Sequence, residues 1–205
     1  GTYSLTVLAP NVNCTASKQF TIDEPLEALD HNGVSSNVDC FGESSGAVNL
    51  TVWGGTPPYS YNWNSGAATE DILNIPSGNY NVIITDSKNC TNTSSYEVSQ
   101  PDIMIGTMSA TNVGCFGDGS GSVSINVIGG SPNYHYSWFN STTLFAQNNP
   151  TMTNMSAEEY HVVVTDQNGC IYTDSIVITE PPELSASAVT LSDVDCFGGT
   201  DGELN

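Results

Sequence analysis

Six cysteines set a rhythm that constrains this chain before any secondary structure is considered. They stand at 14, 40, 90, 115, 170 and 196 and fall into two alternating classes. The first class opens a Cys-Phe-Gly turn at Cys40, Cys115 and Cys196, and a further glycine follows six residues after each cysteine, at Gly46, Gly121 and Gly202. The second class, Cys14, Cys90 and Cys170, lies eleven residues before a proline each time, at Pro25, Pro101 and Pro181. Self-similarity of this kind marks a repeat architecture. With the prolines as boundaries, 26–101 and 102–181 are complete units, 1–25 is the C-terminal part of a repeat, and 182–205 is the N-terminal part of the next. The chain therefore reads as an excerpt from a longer array.

Within a unit the hydrophobic period is two. Val48, Leu50 and Val52 alternate with Ala47, Asn49 and Thr51, and Tyr80, Val82 and Ile84 alternate with Asn81, Ile83 and Thr85. Val123, Ile125, Val127 and Tyr160, Val162, Val164 repeat both stretches. That pattern predicts half-buried strands, and no window carries a helical stripe. Gly54-Gly55-Thr56-Pro57, Asn64-Ser65-Gly66 and Asp86-Ser87-Lys88-Asn89 supply the turns. The expected fold is all-β: tandem immunoglobulin-like (PKD-like) β-sandwich repeats of six or seven short strands, strung in an extended array.

A unit this small has a modest core, so a covalent staple is expected. Closing a loop of about 50 residues contributes about 4 kcal/mol in the chain-entropy model. The preferred pairing gives each unit its own bridge, Cys40 with Cys90 and Cys115 with Cys170, and leaves Cys14 and Cys196 to partners outside this stretch. Two other pairings stay open. Neighbouring units could be joined by Cys14–Cys40, Cys90–Cys115 and Cys170–Cys196, or Cys40 could reach Cys170 of the following unit, because the two classes fall at opposite ends of a seven-strand sandwich.

Charge narrows the function. Asp and Glu number 22 against 2 Lys plus Arg, for a net charge of -20. Lys18 and Lys88 cannot neutralise a phosphate backbone, so nucleic acid is excluded as a partner, and an anionic membrane surface would repel the chain. Hydrophobic residues still reach 38%, which is enough to build cores. Oxidisable cysteines without a Cys-x-x-Cys pair point to an extracellular setting.

The motifs CFG-x3-G, GG-x-P-x-Y-x-Y-x-W and G-x-Y-x-V-x-x-T-D, with a cysteine eleven residues before Glu/Gln-Pro, closely resemble the SprB-type repeat of Bacteroidetes gliding-motility adhesins. The resemblance covers both units and both fragments. It implies a long secreted surface filament used in adhesion and gliding, exported through the type IX secretion system. Its implied partners are that system, a cell-surface anchoring or motility machinery, and surface polysaccharide. The repeat departs from itself where Gly78 becomes Glu158, Asp86 becomes Ala9 and Pro58 becomes Asn133.

The expected role is a non-enzymatic stalk segment, with a carbohydrate-binding module or the spacer of a secreted enzyme as alternatives. No nucleophile-base pair or metal cluster is apparent, and His31, His135 and His161 occupy non-equivalent repeat positions. Tyr59, Tyr61 and Trp63, and likewise Tyr134, Tyr136 and Trp138, share one strand face and form either core or a glycan platform. No cofactor is expected; among cations, calcium has its candidates in Asp86, Asp166 and Asp118. Asp174-Ser175-Ile176 resembles a Bacteroidetes O-glycosylation pattern, with Ser175 as acceptor.

Overall fold

Alternation along each strand puts one face into a core and the other toward solvent, and in the computed structural model this produces an all-β chain. Residues 1–9, 14–145, 147–200 and 202–204 are described. The chain divides into two compact units, Gly1–Pro101 and Asp102–Asn205.

The first unit begins with a hairpin of β1 (Thr2–Leu8) and β2 (Thr15–Thr21). A sandwich of six strands follows: β3 (Asp30–Ser36), β4 (Gly46–Trp53), β5 (Ser60–Trp63), β6 (Ile72–Ile75), β7 (Gly78–Thr85) and β8 (Thr91–Val98). One sheet runs β3-β4-β6 and the other β5-β7-β8, all pairs antiparallel. Val48 and Leu50 from the first sheet meet Trp63, Val82, Ile84 and Val98 from the second in one core. Facing residues of two sheets interdigitate in this way in immunoglobulin-like sandwiches.

The second unit repeats the plan with one strand more. It comprises β9 (Ile105–Thr111), β10 (Gly121–Ile128), β11 (His135–Phe139), β12 (Leu144–Phe145), β13 (Thr151–Met155), β14 (Glu159–Thr165) and β15 (Ile171–Val177). The sheets are β13-β10-β9 and β12-β11-β14-β15. Val123, Ile125, Trp138, Tyr160, Val162 and Val164 fill the core. A short antiparallel pair, β16 (Thr190–Ser192) with β17 (Glu203–Leu204), closes the described chain.

The first hairpin carries the β7 motif with a different exposure. Tyr3, Leu5 and Val7 of β1 match Tyr80, Val82 and Ile84 of β7 by motif. The former are 59%, 58% and 60% exposed and the latter 7%, 1% and 0%.

The two cores are filled by different residues at matching positions. Gly33 faces Tyr96 so closely that a Cβ on Gly33 would collide with the tyrosine ring. In the second unit the matching positions are Met108 and Ile176, both packed on the core. One step along the strands the sizes reverse: Gly106 lies against Tyr172 where the first unit has His31 and Asn92. Close-packed interiors tolerate exchange at which a large residue is matched by a small neighbour and resist one-sided change. Gly33→Met alone is expected to cost about 1–3 kcal/mol by overpacking, and adding Tyr96→Ile to recover most of it. Urea unfolding followed through amide signals of residues 46–98 would measure both.

Candidate functional site

The carboxylates and the Cys-Phe-Gly turns lie at opposite ends of each sandwich, and Trp63 and Trp138 lie in the cores between them. At one end stands a buried carboxylate. Asp86 is 4% exposed and Asp166 is 5% exposed, the two buried charged residues among those described. Burial alone opposes the charged form. Asp86 Oδ2 accepts the Thr56 amide at 2.8 Å, and Oδ1 accepts the amides of Lys88 and Cys90 at 2.8 and 2.9 Å. Asp166 repeats this with Ser131, Asn168 and Cys170 at 2.7, 2.9 and 2.9 Å. For Asp86, desolvation raises the pKa, but the amides of Cys90, Thr56 and Lys88 together outweigh it and hold the carboxyl below its ordinary value.

This carboxylate explains the double glycine. Gly54 and Gly55 both have positive φ, 71° and 59°, which favours glycine. A Cβ on Gly54 would also strike the Ala28 carbonyl, and one on Gly55 would come within 2.8 Å of Asp86 Oδ2. The loop can therefore lie flat on the carboxylate. Ser87 then donates to the Thr56 carbonyl at 2.9 Å, fastening the loop to the turn before β8.

The aromatic triads grow out of the same loop. Tyr59 donates to the Gly54 carbonyl at 2.6 Å and Tyr134 to the Gly129 carbonyl at 2.5 Å. Trp63 is 2% exposed and Trp138 is 0% exposed, with Nε1 donating to the carbonyls of Thr69 and Asn149 at 2.9 and 2.8 Å. Tyr61 and Tyr136 are half-buried beside them. Burial, with the charge of and a hydrogen bond to Glu70, pushes the Tyr61 hydroxyl up to about 12. The tryptophans are core, and Tyr59 and Tyr134 brace the loop.

At the opposite end lies the Cys-Phe-Gly turn. Its Gly42 amide donates to Gln100 Oε1 at 2.9 Å, and Gly117 donates to Glu180 Oε2 at 2.8 Å. Asn37 and Asn112 accept the amides of Ser99 and Thr179 beside them. The latches are not evident from the boundary prolines alone; their trace in the sequence is a Gln or Glu before each boundary proline, at Glu24, Gln100 and Glu180, always ten residues after the second-class cysteine.

The cysteine pairing within units is corrected by this geometry. Cys40 and Cys170 are disulfide-bonded, whereas Cys14, Cys90, Cys115 and Cys196 are free and exposed. Cys90 immediately precedes β8, while the turn of Cys40 is latched beyond the far end of that strand. Eight residues of strand span about 27 Å, and a disulfide requires Cα atoms within about 7 Å. Cys115 and Cys170 are separated in the same way by β15. Neither Cys40–Cys90 nor Cys115–Cys170 forms. The neighbouring-unit staples Cys14–Cys40, Cys90–Cys115 and Cys170–Cys196 also do not form, since each includes a free thiol.

The calcium candidates are likewise committed elsewhere. Asp86 and Asp166 spend their oxygens on amides, and Asp118 accepts its neighbour Gly119 on an exposed turn. Among the described residues, no three His, Cys, Asp or Glu side chains converge on a cation position. Ser175 is exposed on β15 and donates to Glu159 Oε1 at 3.0 Å. The histidines stay apart: His31 lies on β3, His135 starts β11, and His161 on β14 stacks on Phe139.

The SprB repeat family matches the sequence twice, at residues 32–68 and 107–143. No curated protein matches it. Among solved structures, the three N-terminal domains of the highly immunogenic outer capsid protein of bacteriophage RB49 align at 16% identity with a TM-score of 0.47. That alignment covers 82% of this chain and 62% of the capsid protein chain. The N-terminal eight immunoglobulin domains of Down syndrome cell adhesion molecule isoform 1.30.30 align at 12% identity and a TM-score of 0.43, over 88% of this chain and 28% of that one. The chain thus spans less than two thirds of either structure.

The buried carboxylate makes a pH dependence expected. A carboxyl held below its ordinary 3.8 in the folded state contributes stability that is fully present above that value and is lost as pH falls through the folded value. Asp86→Asn should therefore weaken the first unit at neutral pH, and the gap to wild type should close on acidification below 3.8. Urea unfolding across a pH series checks it.

Proposed function

Because two stretches of the chain, 32–68 and 107–143, match the SprB repeat family, we propose that it is a non-enzymatic stalk segment of a long, secreted cell-surface adhesin filament that works in surface adhesion and gliding motility. The observation that carries this reading is the fate of the aromatic triads: Trp63 and Trp138 are sealed in the cores, Tyr59 and Tyr134 brace the adjoining loops, and Tyr61 and Tyr136 are half-buried against the cores. A glycan platform would need those ring faces open to solvent. The repeated carboxylate, latch and core serve the integrity of each unit, which suits a load-bearing spacer.

In this reading the chain is displayed outside the cell by the type IX secretion system and held by a surface anchoring or motility machinery, with contact to surface polysaccharide made by many repeats or by a distal module. The disulfide-bonded Cys40 and Cys170 support an oxidising, extracellular setting. The charge of -20 keeps neighbouring filaments apart at low salt.

Antibodies against the folded chain are expected to label intact, unpermeabilised cells, and excess purified chain to leave attachment of those cells unchanged. Labelling only after permeabilisation would contradict surface display. Competition by the purified chain would identify a receptor-binding module instead of a stalk.

A further inference from the structure

The Cys-Phe-Gly turns of the two units differ at one dipeptide. Residues 115–121 read Cys-Phe-Gly-Asp-Gly-Ser-Gly, whereas 40–46 read Cys-Phe-Gly-Glu-Ser-Ser-Gly, so Asp118-Gly119 stands where the first unit has Glu43-Ser44. Asp118 and Gly119 are exposed and lie between β9 and β10, outside either strand. The Gly119 amide donates to Asp118 Oδ1 at 2.8 Å. This contact folds the side chain back over its own peptide bond and brings the nitrogen of Gly119 beside the carboxyl carbon, the arrangement from which a five-membered imide closes. Asp30, Asn92 and Asp174 make the same contact with the amides of His31, Thr93 and Ser175, each at 2.8 Å. Those three sit in strands, with cross-strand partners at Trp53, Ile84 and Val162, and each is followed by a residue with a Cβ. Ring closure must rotate the main chain on both sides of the reacting residue, which a strand ladder resists and a glycine in a turn allows.

Sequence alone favours two Asn-Gly pairs for this chemistry, since a side-chain amide leaves as ammonia more readily than a carboxyl loses water. The fold restrains both. Asn32 and Gly33 lie on β3 opposite Thr51 and Leu50, and the Tyr96 ring covers Gly33. At Asn168-Gly169 the side-chain amide donates to Ser131 Oγ at 3.0 Å and the Gly169 nitrogen donates to the Asp166 carbonyl at 3.1 Å, so the two reacting groups are held by different partners.

We propose that Asp118 is a site of spontaneous backbone isomerisation in the folded chain. The Gly119 nitrogen bonds to Cγ of Asp118 as it gives up its proton, and the carboxyl hydroxyl leaves with a proton as one water. Water then adds back at either carbonyl of the imide. Opening at Cγ restores aspartate, and opening at the main-chain carbonyl leaves isoaspartate, with the chain continuing through the side-chain carbon. One water is lost and one regained, so the sum is an isomerisation. Glu43 would have to close a six-membered ring onto Ser44, whose Cβ crowds the nitrogen, and the first unit is spared.

Isoaspartate lengthens the main chain by one carbon between anchored points. Before it, the Gly117 amide is held by Glu180 Oε2 at 2.8 Å and the Asp118 amide by the Cys115 carbonyl at 3.1 Å. Just after it, β10 begins at Gly121, where a Cβ would come within 2.7 Å of the Met155 carbonyl. The latch of the second unit therefore loosens as the chain ages, while the latch from Gly42 to Gln100 in the first does not. This chemistry goes beyond the stalk reading and does not depend on it.

The test holds the whole folded chain for weeks at mildly acidic pH in water enriched in the heavy oxygen isotope, then digests it with pepsin and reads each peptide by mass, with electron-transfer fragmentation to separate isoaspartate from aspartate. Each cycle of closing and opening leaves one heavy oxygen at residue 118. The peptide bearing Asp118 should gain label and isoaspartate, while those bearing Glu43, Asn32 and Asn168 stay unchanged. In a chain kept unfolded in urea the order should reverse, with Asn32 and Asn168 deamidating ahead of Asp118. A Cβ at Gly119 would meet nothing nearer than the Asn154 carbonyl at 3.8 Å, so Gly119→Ala has room to fold. Its label uptake should fall about tenfold, and that of Asp118→Glu should vanish. Reaction at Asn32 or Asn168 before Asp118 in the folded chain, the same order folded and unfolded, or undiminished uptake in Gly119→Ala would overturn the proposal. Hydrogen exchange of the Gly117 amide should be faster in aged chain than in fresh, and an unchanged rate would refute the loosening of the latch.

Discussion

Each sandwich is organised around one carboxylate that would be costly to bury unpaired. Asp86 and Asp166 meet that cost with three backbone amides apiece, drawn from the glycine loop before the third strand and the turn before the last. Much of the local structure depends on this. The loop requires paired glycines to lie against the carboxylate, Tyr59 and Tyr134 brace the loop, and the strand that leaves it delivers Trp63 or Trp138 to the core. The same contact holds the amide of the second-class cysteine, fixing that cysteine at the end of the sandwich opposite the Cys-Phe-Gly turn.

Side chains that attract attention as functional candidates are therefore already occupied. Carboxylates that could ligate calcium accept amides, rings that could stack on a sugar fill cores, and the residues before the boundary prolines latch a turn. The exchange of Gly33 and Tyr96 for Met108 and Ile176 shows the same economy: the space over a glycine is taken by a tyrosine ring in one unit, and two mid-sized side chains share the matching place in the other. What each unit presents outward is a strongly acidic, largely polar surface together with its cysteines.

Strands, turns and the repeat were legible in the sequence because period-two patterning and glycine-rich turns act locally. Val48-Leu50-Val52 and Tyr80-Val82-Ile84 mark core-facing strand positions without knowledge of the partner strand. Cysteine pairing was not legible, because it depends on which end of a strand each cysteine occupies in three dimensions; sequence separation made Cys40 and Cys90 look suited while the length of β8 keeps them apart. The latches from Gln100 and Glu180 were hidden for a similar reason, since each acts on a turn more than half a repeat away in sequence. Burial of Asp86 left a trace only in the double glycine that accommodates it.

Native-state hydrogen exchange at the amides bound to the two carboxylates tests the central claim most directly. If these contacts organise the units, the amides of Thr56, Lys88 and Cys90 should exchange only as slowly as the strand amides of β7, and those of Ser131, Asn168 and Cys170 as slowly as β14, with joint loss of protection in Asp86→Ala and Asp166→Ala. Exchange at the rate of exposed loops, with the strands still protected, would show that the sandwiches stand without the carboxylates and would contradict the account.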